Sequence, residues 1–340
     1  MIKFFRRIRQ RLLVEKRLGR YFFYAIGEIV LVVIGILIAL QINNANDNRK
    51  NRNSIDLILK QVRAELAVNI KRADQLALYY RQKDSSIRVI MNNQMAPANI
   101  DIYYDMPIRS SEVMIIKDQS FQNLMRNHNL ISSDLDTIVY NLKELYTAHK
   151  EVVEYTNNVV DKIVTNYEEW LKLNADWYKN IYYRTDSITP DQRTFFFSEN
   201  SLFKNFASEY YDYAVRSQYS AIMRFRHFSY AAYKQLSVLL EISDDELLTL
   251  ELTTEQKQKI LGEYHHNEHT VSIIEKEDKL FIRINDGQAM ELLFLSNKAY
   301  IIDRPENWLH TEIVFDDKGD ISGFVSRSGN QQFVWKRLDK

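Results

Sequence analysis

From residue 36 to residue 261 the chain contains no glycine, and its prolines there are Pro97, Pro107 and Pro190. A stretch of that length lacking the residue that tight turns and helix C-caps most often use cannot be a run of hairpins. It has to be long helices joined by few polar connections. Glycine returns at 262, 287, 319, 323 and 329, and with it the texture of short strands and corners. The chain is therefore read as helical first and β-rich last.

Upstream lies a second constraint. Tyr21 to Ile42, YFFYAIGEIVLVVIGILIALQI, carries one charge, Glu28. At a rise of about 1.5 Å per residue it reaches across a hydrocarbon core of about 30 Å, so it is expected to be a transmembrane helix. Residues 1–20 hold eight basic side chains against one acid, Glu15, and five more basic groups follow from Arg49 to Arg63. The denser cluster predicts a cytoplasmic N-terminus and an exported bulk. The apolar run is too long for a cleaved leader, and Leu40 to Ala45 lacks a small-x-small site, which points to an uncleaved anchor. Phe4, Phe5, Ile8, Leu12 and Leu13 recur at helical spacing, which suits a short helix on the anionic inner leaflet; a purely topological basic flank fits equally. A basic arm running straight into a span is not read as a nucleic-acid arm, and twenty residues predict no cytoplasmic output domain.

An acid inside a span is costly unless protonated or partnered. Gly27 and Gly35, eight residues apart, let a second helix approach closely. Gly27, Glu28 and Gly35 are thus the candidate membrane-helix pairing residues, to a partner's helix or a second copy.

Beyond the membrane, Ile55, Leu59, Val62, Leu66, Asn69, Ala73, Leu76 and Tyr80 alternate at spacings of four and three. That is a coiled-coil seam with Asn69 as a buried register-fixing polar residue. With Ile58, Ile70 and Ala77 added it is one face of a helix in an intramolecular bundle, the favoured reading. A break at Asn92 to Pro107 follows. A short helix and a longer one are expected through SSEVMIIKDQSFQNLMRNHNLIS, then a long helix from Leu135 to Trp177. A polar loop holds Pro190, and a last helix runs from Leu202 or Tyr210 to Leu240. The sum is an antiparallel bundle of four or five helices. Its many tyrosines, Tyr178, Tyr182, Tyr183, Tyr210, Tyr211 and Tyr230 among them, are read as interhelical packing. Arg216, Arg224 and Arg226 near His227 are an anion site or a solvated face.

From Gly262, runs such as Thr270–Ile273, Lys279–Ile284, Met290–Leu295 and Gln332–Trp335 recur every 8 to 12 residues, an antiparallel meander closing into a small curled sheet or barrel. His265, His266 and His269, with His310 as a potential fourth, form the one metal-like cluster, though alternation sends His265 and His266 to opposite faces. Ser201-Leu202-Phe203-Lys204 matches S-x-x-K without its companion motifs. With no cysteine and no Gly-rich phosphate loop, no catalytic residue and no cofactor are assigned, and the chain is expected not to be an enzyme.

The opening MIKFFRRIRQRLL, the run YAIGEIVLVVIGILIALQINN and the later FQNLMRNHNLIS resemble a membrane-anchored family of unknown function found mainly in Bacteroidota, over residues 1–250; Ala45 stands where that family carries tryptophan. The resemblance implies a Gram-negative inner membrane and no known activity. Gly262-Glu263-Tyr264, Leu280-Phe281-Ile282, Leu292 to Asn297 and Glu312 to Phe315 are similar to the lipocalin-like domain appended to serine β-lactamase-like hydrolases, which implies an accessory module. The expectation is a membrane-anchored α+β protein: a basic segment (1–20), a transmembrane helix (21–42), a periplasmic helical bundle (43–250) and a lipocalin-like antiparallel β domain (251–340). Its function is expected to be binding or scaffolding within an envelope complex. A small-ligand sensor or carrier, needing an open cavity in the β domain, is the alternative, and a metal-dependent hydrolase a third.

Overall fold

The computed structural model describes residues 18–98, 108, 112–175, 189–243, 252–296, 299–302, 310–316, 319–328 and 331–338. The head through residue 17, Trp177, Tyr178, Tyr182, Tyr183 and the side chain of His310 lie outside the described residues.

One helix dominates. α1 runs from Leu18 to Met91, 74 residues, or about 110 Å at 1.5 Å per residue. Nothing in its sequence stops it, since the last glycine is Gly35 and the first proline Pro97. It ends without a glycine. Asn93 takes the left-handed backbone (φ 55°) and Gln94 donates its N–H to the Val89 carbonyl at 2.9 Å, which satisfies an end carbonyl. Glu241 (φ 54°) ends the last long helix in the same way, with Ile242 donating to Ser237.

After α2 (Gln119–Arg126) and two single turns come α3 (Asp136–Glu144), a π-helical turn (Leu145–His149) and α4 (Lys150–Asn174), one continuous rod. α5 (Pro190–Glu199) and α6 (Ser201–Tyr210) lead through a second π segment (Tyr211–Gln218) into α7 (Tyr219–Leu239). α5 stands where the sequence predicts a loop. Thr189 and Gln192 form a reciprocal capping box with Pro190 in the first turn, a start signal that outweighs a polar composition.

Side-chain pairings give the helix directions. Along α1 the partners of Arg63, Asp74, Tyr80 and Arg88 are Ser237, Arg226, Gln218 and Tyr211, so α1 and α7 are antiparallel. Along α3–α4, Asn141, His149 and Asn157 meet Gln235, Phe228 and Gln218, also antiparallel to α7. α1 and α3–α4 therefore point the same way, and something must carry the chain back between them. That element is not the expected short helix. Residues 112–118 are non-helical, with Met114 and Ile116 buried and Ile115 77% exposed. Period-two burial in a β-branched run is strand behaviour. This strap descends along α1, with Glu112 at Arg72, Lys117 at Asn69 and Ser120 at Glu65. The bundle thus alternates direction as expected, but one leg is an extended segment plus α2.

All eight positions of the predicted seam, Ile55 to Tyr80, are buried. They pack within the chain, in a helical core that includes Phe121, Leu142, Val153, Tyr167, Phe203, Ile222 and Phe225. Tyr210 and Tyr233 are buried in it too.

The C-terminal unit begins with α8 (Thr254–Ile260), capped by a Thr253/Gln256 box and not anticipated. Eight strands follow: β1 Gly262–His266, β2 His269–Lys276, β3 Lys279–Ile284, β4 Met290–Ser296, β5 Ala299–Ile302, β6 His310–Phe315, β7 Ile321–Ser328 and β8 Gln331–Arg337. Each pairs antiparallel with the next, and β1 pairs with β8, so the curled sheet closes. Gly323 is required where β7 meets β8, because a Cβ there would lie 2.0 Å from the Trp335 carbonyl oxygen. The inner face carries its own cluster, with Tyr264, Ile273, Ile282, Leu292, Ile313 and Phe324, and α8 adds Ile260. Leu293, pointing outward from β4, belongs to the helical core. Beside it, Glu291 lies 4.0 Å from Lys234 of α7.

Candidate functional site

The two halves of α1 hold the features of interest. In the lower half every described side chain from Phe22 to Ile42 is exposed except Glu28, which is half-exposed. A methyl group placed on Gly27 or Gly35 would meet nothing within 4 Å. At about 100° per residue, Glu28 and Gly35, seven apart, share one face, and Gly27 sits to its side. The three expected pairing residues are therefore placed together on a bare helix, which is long and apolar enough to cross a membrane.

The upper half carries a polar line within the buried seam. Asn69 donates Nδ2–H to the Lys117 carbonyl at 2.8 Å and accepts the Lys117 N–H at 2.9 Å, as a neighbouring strand would. From α4, Asn157 does the same for Met114, at 2.9 and 3.3 Å. The Glu65 carboxylate accepts the N–H groups of Ser120 and Phe121 at 2.8 and 3.4 Å, where α2 begins. An anion there satisfies orphan donors and faces the positive helix end. Tyr80 donates to the Glu112 carbonyl at 2.9 Å and meets Gln218, which donates to Asn157 at 2.6 Å. Burial, then Tyr79 and Glu112, push the Tyr80 hydroxyl far above its usual value, so it acts as a fixed donor. The N–H and C=O groups of Met114 and Lys117 in the strap are thus answered by side chains. Asn69 is buried, as the seam predicts, but it fixes the register of a strap and not of a second helix.

Further clamps tie α1 to α7. Arg63 donates to Ser237 Oγ, Tyr233 Oη and the Ser243 carbonyl at 2.8, 2.6 and 2.7 Å. Arg226, 2% exposed, donates to Asp74 at 2.6 Å. The arginines considered as one anion site are therefore dispersed. Arg226 is inside, Arg216 pairs with Asp212 at 3.0 Å, and Arg224 lies near His149. Burial, then Arg224 and His227 against Glu144, hold the His149 imidazole below its usual value.

The histidines are split by the β pleat. His265 pairs in register with Thr270 and bonds its hydroxyl at 3.1 Å, while His266 and His269 face each other across the β1–β2 corner. His266 donates Nδ1–H to the Val334 carbonyl at 3.0 Å, and His269 lies 3.3 Å from Asn285 Nδ2. The expected trio does not converge, because adjacent residues of a strand point oppositely. Among the described residues no group of three or more His, Asp or Glu is placed to hold a metal ion. Ser201 and Lys204 sit in the first turn of α6, with Ser201 exposed.

Residues 28–102 match a family described as a family of unknown function (DUF6090). The match opens at Glu28 and takes in the rest of α1, including Gly35 and the polar line. No curated protein matches the chain.

Proposed function

We propose that this protein is a non-enzymatic scaffold or accessory subunit of an envelope complex, anchored in the bacterial inner membrane by residues 21–42 with its bulk in the periplasm. The observation that carries the reading is the bare apolar half of α1, continuous with a half locked into a folded bundle. Leaving so many large apolar side chains in water would be costly, whereas lipid solvates them without cost. The basic head and the resemblance to Bacteroidota membrane-anchored proteins support the orientation and the setting. The lipocalin-like reading of the β domain supports an accessory role.

In this account Gly27, Glu28 and Gly35 form the face that meets a partner's helix or a second copy. Glu28→Ala and Gly35→Leu are expected to reduce recovery of that partner when the full chain is purified in mild detergent. Unchanged recovery with both variants would refute the pairing face.

A second reading, a carrier of a small ligand in the β domain, is favoured by one observation. Trp335 faces into the closed sheet with an indole N–H that is buried and has no hydrogen-bond partner.

A further inference from the structure

The inner face of the β domain changes character along its axis. At the α8 end it is closed. Ile260 packs into the core, Tyr264 donates to the Ile260 carbonyl at 2.7 Å, and Arg337 donates to the Lys259 and Leu261 carbonyls at 2.8 and 2.9 Å. Ile273, Leu280, Ile282 and Ile321 are buried there. At the other end, residues of the same face reach solvent. Ile284 pairs with buried Val271, Met290 with buried Ile282, Phe333 with buried Ser326 and Trp335 with buried Phe324, yet these four, and His266, are only half-buried. Inward-facing side chains that touch water define a mouth, the usual place for a ligand in a small barrel.

Polar groups concentrate beneath that mouth. Thr311 and Ser326, directly opposite on β6 and β7, are 2% and 5% exposed and share one long hydrogen bond of 3.3 Å. Trp335, one strand further, holds the unpartnered Nε1–H. An indole N–H only donates, and two hydroxyls sharing one bond keep a donor to spare. Buried donors of this kind cost free energy until an acceptor arrives. The described inner face of this end has no cation. Its histidines are tied locally: His266 donates Nδ1–H to the Val334 carbonyl and its Nε2 lies 3.3 Å from the Asn267 amide, and His269, opposite it, lies 3.3 Å from the Asn285 amide. Burying a carboxylate against neutral donors alone is unfavourable.

We propose that the mouth formed by His266, Met290, Thr311, Ser326, Phe333 and Trp335 binds an uncharged, mainly apolar molecule through a single acceptor such as a ketone, ester or amide oxygen, which takes the Trp335 N–H. The proposal rests on the carrier reading and gives its ligand class.

The test uses the full chain in lipid nanodiscs with ¹⁵N-labelled tryptophan, whose indole signals come from four residues; Trp335→Phe identifies the one that matters. Titration with 2-hexanone is expected to move the Trp335 signal saturably, hexanoate to leave it in place, and Ser326→Ala to weaken 2-hexanone about fivefold, as loss of one neutral hydrogen-bonding group would. If neither probe moves the signal, the proposal and the carrier reading both fall. If hexanoate moves it as strongly as 2-hexanone, the carrier reading stands and the uncharged class is wrong. An unchanged affinity in Ser326→Ala would overturn the assigned site.

Discussion

The two halves of α1 share one uninterrupted backbone and differ in almost everything else. From Phe22 to Ile42 the described side chains are almost all apolar and, Glu28 apart, exposed; from Ile55 upward a buried stripe faces a folded bundle, with Glu65, Asn69, Arg72 and Tyr80 set along it. The backbone hydrogen bonds are internal in both halves, so helix formation itself does not separate them. What separates them is where polar side chains are placed: in the upper half Asn69 and Tyr80 meet peptide groups of the strap, Glu65 the start of α2 and Arg63 the last helix, while the lower half carries one charged residue, Glu28, in an apolar run. One continuous helix therefore carries an exposed apolar stretch at one end and a template for folding at the other.

The largest expected effect breaks the lower half alone. Val32→Arg, near the middle of the apolar run, should disfavour insertion by about 3 kcal/mol and move the protein out of carbonate-washed membranes, while the unfolding curve of the bundle stays put. A matching loss of bundle stability would show that the halves do not act separately. Next, Asn69→Ala removes two hydrogen bonds to Lys117 and should destabilise the bundle by about 2–3 kcal/mol in urea melts, with membrane retention unchanged. Glu65→Gln keeps the shape but removes the charge at the start of α2, and about 1 kcal/mol is expected.

A smaller effect concerns pH. His149 is held below its ordinary 6.5 chiefly by burial, so its neutral form is the one favoured by folding. The sign follows: its contribution is complete above pH 6.5 and is lost as pH falls below that value. Arg224 and His227 face it as repelling cations and Glu144 as the opposing acid. His149→Gln should flatten the stability profile between pH 7 and 5. Least of all, Ile115→Thr, on the outer side of the strap, should shift stability by no more than about 0.5 kcal/mol; a large loss would mean that the strap is covered in the intact assembly.

Much of this is legible in the residues. The seam from Ile55 to Tyr80 is buried at every position named, because a stripe at alternating fours and threes has one stable use, burial against other elements. The strand order of the C-terminal unit follows from its corners. The strap reads as a helix in sequence because Val113 to Ile116 is a short apolar run, which periodicity alone cannot assign. What decides it is tertiary: the amides of Asn69 and Asn157, distant in sequence, offer ladder-like hydrogen bonds that helix formation would forgo. α5 and α8 escape a sequence reading although Thr189-Pro190-x-Gln192 and Thr253-x-x-Gln256 spell their starts; the apolar residues of α5, Phe195 to Phe197, are consecutive and show no helical period, and α8 has Ile260 alone. Of the candidate sites, the face of Glu28 and Gly35 is readable from spacing, and the division of His265 from His266 follows from the pleat. The orphan indole N–H of Trp335 is not readable, since whether a partner lies opposite depends on β7 and its register.

The central claim is that residues 21–42 cross a membrane with the bundle on the far side from the basic head. The chain has no cysteine, so single cysteines report without background. Gln10→Cys and Ser54→Cys would be treated with a membrane-impermeant maleimide in spheroplasts with an intact inner membrane. The account predicts that position 54 reacts at once and position 10 only after the membrane is opened. Reaction at position 10 with protection at 54, or equal reaction at both, would contradict it.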